Sequence, residues 1–230
     1  MDAQRARRIR LLFYVVAALY ALTVVYVLSR SRAPLAYNLA RAAALFAYGT
    51  LFVTILSHEY MREMRELFGQ PFLAVHHILA VTGLVLVILH PVLIAILLRD
   101  PRQLVPRFDS LRTLLLLGGR PALYLILIAV LTAVVRGRLK GTWKVIHWLN
   151  YVAFVLVFAH SWLLGGNVST SILKFIWPLM LLTVVVVFLR NRLARTRLTP
   201  RPRQPGHSAE SAERSTGERG AQSRQRRGMQ

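Results

Sequence analysis

The sequence predicts an all-α integral membrane protein, built as a bundle of six membrane-crossing helices. Two observations carry that class. The 230 residues are 55% hydrophobic, with a mean hydropathy of +0.47. The apolar residues also fall into blocks of about 20, the length that a hydrocarbon core of roughly 30 Å demands of a helix. A third observation orients the blocks: clusters of arginine and lysine stand between them, more densely on one side than on the other.

The blocks run over residues 11–29, 35–57, 72–98, 120–137, 145–165 and 171–190. Residues 1–10, "MDAQRARRIR", resemble the basic start of a signal peptide. The apolar stretch that follows is longer than a signal core and lacks a small-x-small cleavage site, so it is expected to stay as the first span. The fourth block is interrupted by Gly118, Gly119, Arg120 and Pro121. There "LRTLLLL" is expected to be a short interfacial piece, and the span to begin near Pro121, because proline suits a first helical turn. Trp143, Trp148, Trp162 and Trp177 fall near span ends and read as an interfacial belt. From 198 to 230 the chain is rich in Arg, Ser, Gly, Gln and Pro. It has almost nothing to bury and is expected to be a disordered basic tail.

The formal charge of +21 would suggest nucleic acid in a soluble protein. Its placement argues otherwise. Arg5, Arg7, Arg8 and Arg10 precede the first span; Arg136, Arg138, Lys140 and Lys144 separate the fourth and fifth; Arg190, Arg192, Arg195 and Arg197 end the sixth. The positive-inside rule then puts both termini in the cytoplasm of a plasma-membrane protein, although Arg99, Arg102 and Arg107 dilute the bias. The excess charge is expected to meet anionic lipid headgroups rather than nucleic acid. With no cysteine, disulfides, thiolate zinc, iron–sulfur clusters and covalently attached c-type haem are all excluded.

Histidines inside the apolar blocks are the chemistry-bearing feature. "VHHILAVTGLVLVILHP" carries His76, His77 and His90, and "VIHWLNYVAFVLVFAHS" carries His147 and His160. At 1.5 Å per residue, His76 to His90 spans about 21 Å and His147 to His160 about 19.5 Å, so two helices offer imidazoles at two matching depths. Two facing imidazoles can clasp a haem iron, and haem b needs no cysteine. The reading is therefore two haem b groups between spans three and five, one held by His76 and His147 and the other by His90 and His160. Fourteen residues return to within about 40° of one helix face, whereas thirteen miss by about 140°. That favours His76 over His77 and requires either a distortion in span five or haems approaching it from two sides. His58, at the end of span two, reads as interfacial. Arg41 is buried inside span two, where a haem propionate would be a suitable partner, with Arg120 in reach of the same group. Gly83 offers a close approach for a flat ring.

These two histidine-bearing segments resemble the fifth and third spans of the ferric reductase-like transmembrane domain family. In the fifth, "GTWKVIHWLNYVAFVLVFAHSWLLGG", a basic loop leads into Trp, then His, then a second His on an aromatic-rich helix. The resemblance covers roughly residues 36–190 and implies that His76 and His147 ligate an inner haem b, and His90 and His160 an outer one. It implies electron transfer across the membrane to an extracytoplasmic acceptor or redox partner. The family includes NADPH oxidases, ferric reductases and a bacterial haem-binding subunit of a periplasmic methionine sulfoxide reductase. That subunit carries arginines where His76 and His77 stand here, so this chain holds the fuller histidine set. Oxidases and ferric reductases add a flavin and nicotinamide domain after the last span. Here no glycine-rich dinucleotide fingerprint occurs, so FAD and NADPH enter only through a separate flavoprotein, with reduced flavin or quinol as the other donors. A transporter with a histidine proton path and a purely structural membrane subunit are the competing readings.

Overall fold

The computed structural model describes residues 3–69 and 71–197. Among them every regular element is helical: α1 (Ala3–Ser29), α2 (Leu35–Glu59), α3 (Met61–Phe68), α4 (Phe72–Leu97), a 3-10 turn (Pro101–Leu104), α5 (Leu111–Leu116), α6 (Gly119–Val134), α7 (Arg136–Leu139), α8 (Thr142–His147), α9 (Leu149–Leu164), α10 (Gly166–Thr170) and α11 (Leu173–Arg197). The chain divides into a unit of residues 1–189 and a second of 190–230. The described part of the second, residues 190–197, is helical, and the tail expected beyond it lies outside the described residues.

Five helical stretches are long and apolar enough to cross a membrane: 4–29, 35–59, 73–97, 142–164 and 173–193. The fourth expected span, α6, is a shorter apolar helix of 16 residues. Its rise is about 24 Å, short of a full hydrocarbon core. "LRTLLLL" does form its own short helix, α5, started by Ser110, whose Oγ accepts from the Thr113 N–H at 3.1 Å. The basic residues from Arg5 to Arg10 lie in the opening turns of α1.

Apolar side chains cover the outside as well as the inside. Leu12, Val16, Leu19 and Leu22 on α1, and Ile78, Val81 and Val85 on α4, are all more than half exposed. A helix that is apolar all round, with this much aliphatic surface left outward, is suited to hydrocarbon rather than water. Inside, Tyr48 of α2 is stacked between Phe154 of α9 (centroids 4.6 Å) and Trp177 of α11 (4.7 Å). Trp177 is fully buried and its Nε1 donates to Ser161 Oγ at 2.9 Å. It is therefore a core anchor, not a belt residue: its indole meets Tyr48, Tyr20 and Ser161 at once. Trp177→Ala should destabilise the bundle by about 3–5 kcal/mol, read as a lower thermal unfolding midpoint.

Small residues set the other contacts. Ala122 and Ala153, both fully buried, let α6 and α9 approach closely. A Cβ on Gly83 would lie 3.3 Å from Thr50 Cγ2, so this glycine brings α4 against α2 and offers no face to a ring.

Candidate haem site

The histidines stand on α4 (His76 and His90), at the end of α8 (His147) and on α9 (His160); α4 packs on α2, and α8 and α9 pack on α6. Among the described residues α4 and α9 are not themselves a closely packed pair. The space between them is where the two histidine levels meet.

At the first level, the rings of His76 and His147 have centroids 6.4 Å apart. A metal–imidazole bond of about 2 Å, plus roughly 1.2 Å from nitrogen to ring centre, gives about 6.4 Å between two rings that share one ion. His76 Nδ1 lies 3.3 Å from Ser57 Oγ, a hydroxyl buried on α2, and His147 Nδ1 lies 3.3 Å from the Ala129 carbonyl on α6. His77, the next residue along, is exposed, its ring centroid 6.3 Å from that of His76. His58 is 43% exposed beside Glu59, at 3.7 Å from its carboxylate, as an end-of-span residue would be. Were a haem held at this level, His77→Ala should leave it in place and His76→Ala should remove it, measured by pyridine haemochrome; equal losses would contradict this register.

At the second level, His90 and His160 line one cavity of about 340 Å³, within the range of small-molecule sites. His90 Nδ1 lies 2.9 Å from the Ala40 carbonyl and His160 Nδ1 2.7 Å from that of Leu116. In all four histidines, then, Nδ1 is taken up by a backbone carbonyl or a hydroxyl. A carbonyl accepts only from an N–H, which fixes the proton on Nδ1 in His90, His147 and His160 and leaves Nε2 as a lone-pair donor. That is the arrangement by which proteins orient metal-ligating histidines.

The thirteen-residue spacing on the fifth span is met in part by a local distortion. The helix breaks at Trp148, whose N–H reaches back three residues to the Val145 carbonyl at 3.2 Å, and Tyr151 does the same to Trp148 at 2.9 Å. A 3-10 turn advances about 120° per residue, so each tightened residue recovers about 20° of the deficit. The distortion is present, but two tightened residues recover only about 40° of the roughly 140° miss, so both alternatives read from the sequence stand.

Other groups around the cavity carry the fit further. Gly119 abuts His160: a Cβ there would lie 2.9 Å from its Cδ2 and 3.0 Å from its Nε2. Tyr48 also lines the cavity, and its hydroxyl is buried with no hydrogen-bond partner among the described residues. Arg41 borders it too, its guanidinium 4.8 Å over the Tyr37 ring and donating to Ser31 Oγ at 3.2 Å. Among the described residues it has no carboxylate partner. Arg120, expected to share that role, is otherwise engaged. It donates to the Arg102 and Val105 carbonyls and to Gln103 Oε1, and so fastens the 3-10 turn and its loop over the cavity.

Among the described residues no group of three or more His, Cys, Asp or Glu could hold a bare metal ion. Each level offers two imidazole ligands, and a bare transition-metal ion is normally held by three or four protein ligands. The donor set fits an iron whose other ligands arrive with it, as in a porphyrin.

Ser57, Tyr48 and Gly119 were invisible to sequence reasoning as site residues. Only Gly119 had a signal, the glycine pair interrupting the fourth apolar block. No family model, curated protein or solved structure matches this chain.

Proposed function

We propose that the chain is a haem b membrane protein that carries electrons across the bilayer, from a cytoplasmic-side or quinol donor to an extracytoplasmic acceptor. The observation that supports it best is the set of four histidines in two levels, each with its Nδ1 anchored. Six spans, counting the short α6, and cytoplasmic termini complete the proposed topology.

His76 and His147 would hold one haem and His90 and His160 the other. When bound, haem iron supplies one-electron chemistry at a potential tuned by its ligands and surroundings. The protein's own share is positional. Ser57 and the Ala129, Ala40 and Leu116 carbonyls orient the ligand rings. Arg41 offers its cation to a carboxylate at the cavity edge, and the aliphatic walls of α4 and α9 exclude water. The two levels are separated by about 21 Å of helix rise along α4, which spreads them over most of the bilayer. A proton-path transporter accounts less well for the anchoring, since a relay needs imidazoles free to change tautomer and carbonyl partners set those of His90, His147 and His160.

The test is vectorial. Liposomes with trapped ferricyanide are given the purified protein and external dithionite. Trapped ferricyanide should be reduced only where the protein is present and not with His90→Ala; reduction at the protein-free rate would contradict the proposal.

A further inference from the structure

The loop over the second-level cavity carries more cation than its structure uses. Arg30, Arg32, Arg99, Arg102, Arg107 and Arg112 stand at this end of the bundle, against Asp100 and Asp109. Both aspartates are occupied. Asp109 pairs with Arg107 at 2.7 Å, and Asp100 accepts from the Arg102 N–H and from Gln103 Nε2. Arg30, Arg32, Arg99, Arg102 and Arg112 are exposed, and among the described residues none has a carboxylate partner. The loop sits directly over the site, because Gln103 lines the cavity and Arg120 ties the loop down.

Two features indicate that this charge is put to use. The first is Arg99, which closes α4 with φ +50. Its N–H bonds to the Ile96 carbonyl and that of Asp100 to the Ala95 carbonyl, the pair of bonds that ends a helix in a left-handed residue. Glycine takes that conformation without penalty, and arginine does not. The second is position: arginines on the proposed outer side oppose the charge bias that sets topology. Val105, Phe108 and Leu111, each more than half exposed, stand among them. Arginine mixed with aromatic and aliphatic side chains is the composition of protein interfaces.

We infer that the loop Arg99–Asp109, with Arg30, Arg32 and Arg112 beside it, is the docking face for the acidic surface of a soluble redox protein that takes electrons from the second-level site. This rests on the electron-carrier reading above. Opposite charge on the partner would steer it to the loop and place its redox group over the cavity.

The test uses the haem-loaded chain in phosphatidylcholine nanodiscs, reduced and then mixed with ferric cytochrome c, either untreated and basic or with its lysines succinylated and acidic. The acidic form should oxidise the chain about tenfold faster or more at low ionic strength, and the advantage should fade as salt screens it. Co-sedimentation should show the same preference in binding. Arg99→Gly relieves the backbone strain, so it should slow the acidic partner about two- to threefold at low salt while raising the unfolding midpoint by about 2 °C. Arg99→Glu with Arg102→Glu and Arg112→Glu should reverse the preference. Equal rates for the two forms, or a faster basic form, overturn the inference. So does a preference that vanishes when a third of the lipid is phosphatidylglycerol, which would mean that headgroups cover these arginines. A preparation that binds no haem overturns the electron-carrier reading instead, and this inference with it.

Discussion

His160→Ala is expected to lower the haem content from about two per chain to about one, with the remaining haem keeping its b-type reduced-minus-oxidised spectrum. The reason is that the second-level cavity has one imidazole on each wall, His90 from α4 and His160 from α9. Removing either would leave a haem iron there a single protein ligand in an apolar site. The first level should be untouched, because His76 lies fourteen residues from His90 and His147 thirteen from His160, and its anchors, Ser57 and the Ala129 carbonyl, are not among the residues lining the second-level cavity. His90→Ala should behave as His160→Ala does, and His76→Ala and His147→Ala should remove the complementary half of the spectrum. The double variant His76→Ala with His160→Ala should bind essentially none. A full complement of haem in any of these variants would break the assignment at that level.

Gly119→Val should produce nearly the same loss with all four histidines in place. Its side chain would enter the space held by the His160 ring, 2.9–3.0 Å away already at Cβ. The ring cannot swing aside without giving up its hydrogen bond to the Leu116 carbonyl. Losing that bond costs about 1 kcal/mol, and the imidazole would then no longer be aimed. The first turn of α6 should tolerate the change, since glycine is itself a poor helix former. The unfolding midpoint should stay within about 2 °C of the parent while the second-level haem is lost, and Gly119→Ala should fall between the two. Retention of two haems by Gly119→Val would show that Gly119 has no part in the site.

Comparison of these residues with the sequence shows where local reading ends. The long apolar blocks were legible because bilayer thickness sets helix length directly, and so was the short α5, because Gly118 and Gly119 interrupt the run before α6 begins. The histidine levels were legible from rise per residue alone. What anchors those histidines was not, because Ala40, Ser57, Leu116 and Ala129 are ordinary residues on other helices, and three of them act through backbone carbonyls that any side chain would present. Trp177 and Arg120 illustrate the same limit. Position near a span end suggested an interfacial indole for one and a propionate partner for the other, yet tertiary partners claimed both: the Tyr48 stack and Ser161 for Trp177, the loop carbonyls and Gln103 for Arg120. Gly83 was mistaken for a cofactor contact because a glycine in a membrane helix marks close approach without naming what approaches.

The central claim is that four anchored imidazoles hold two haems, and a pyridine haemochrome assay on detergent-purified protein, expressed with adequate haem supply, tests it most directly. The account predicts about two b-type haems per chain, with reversible reduced-minus-oxidised spectra. Absence of haem, with no Soret band at all, would contradict it and leave the proton-path transporter as the better reading.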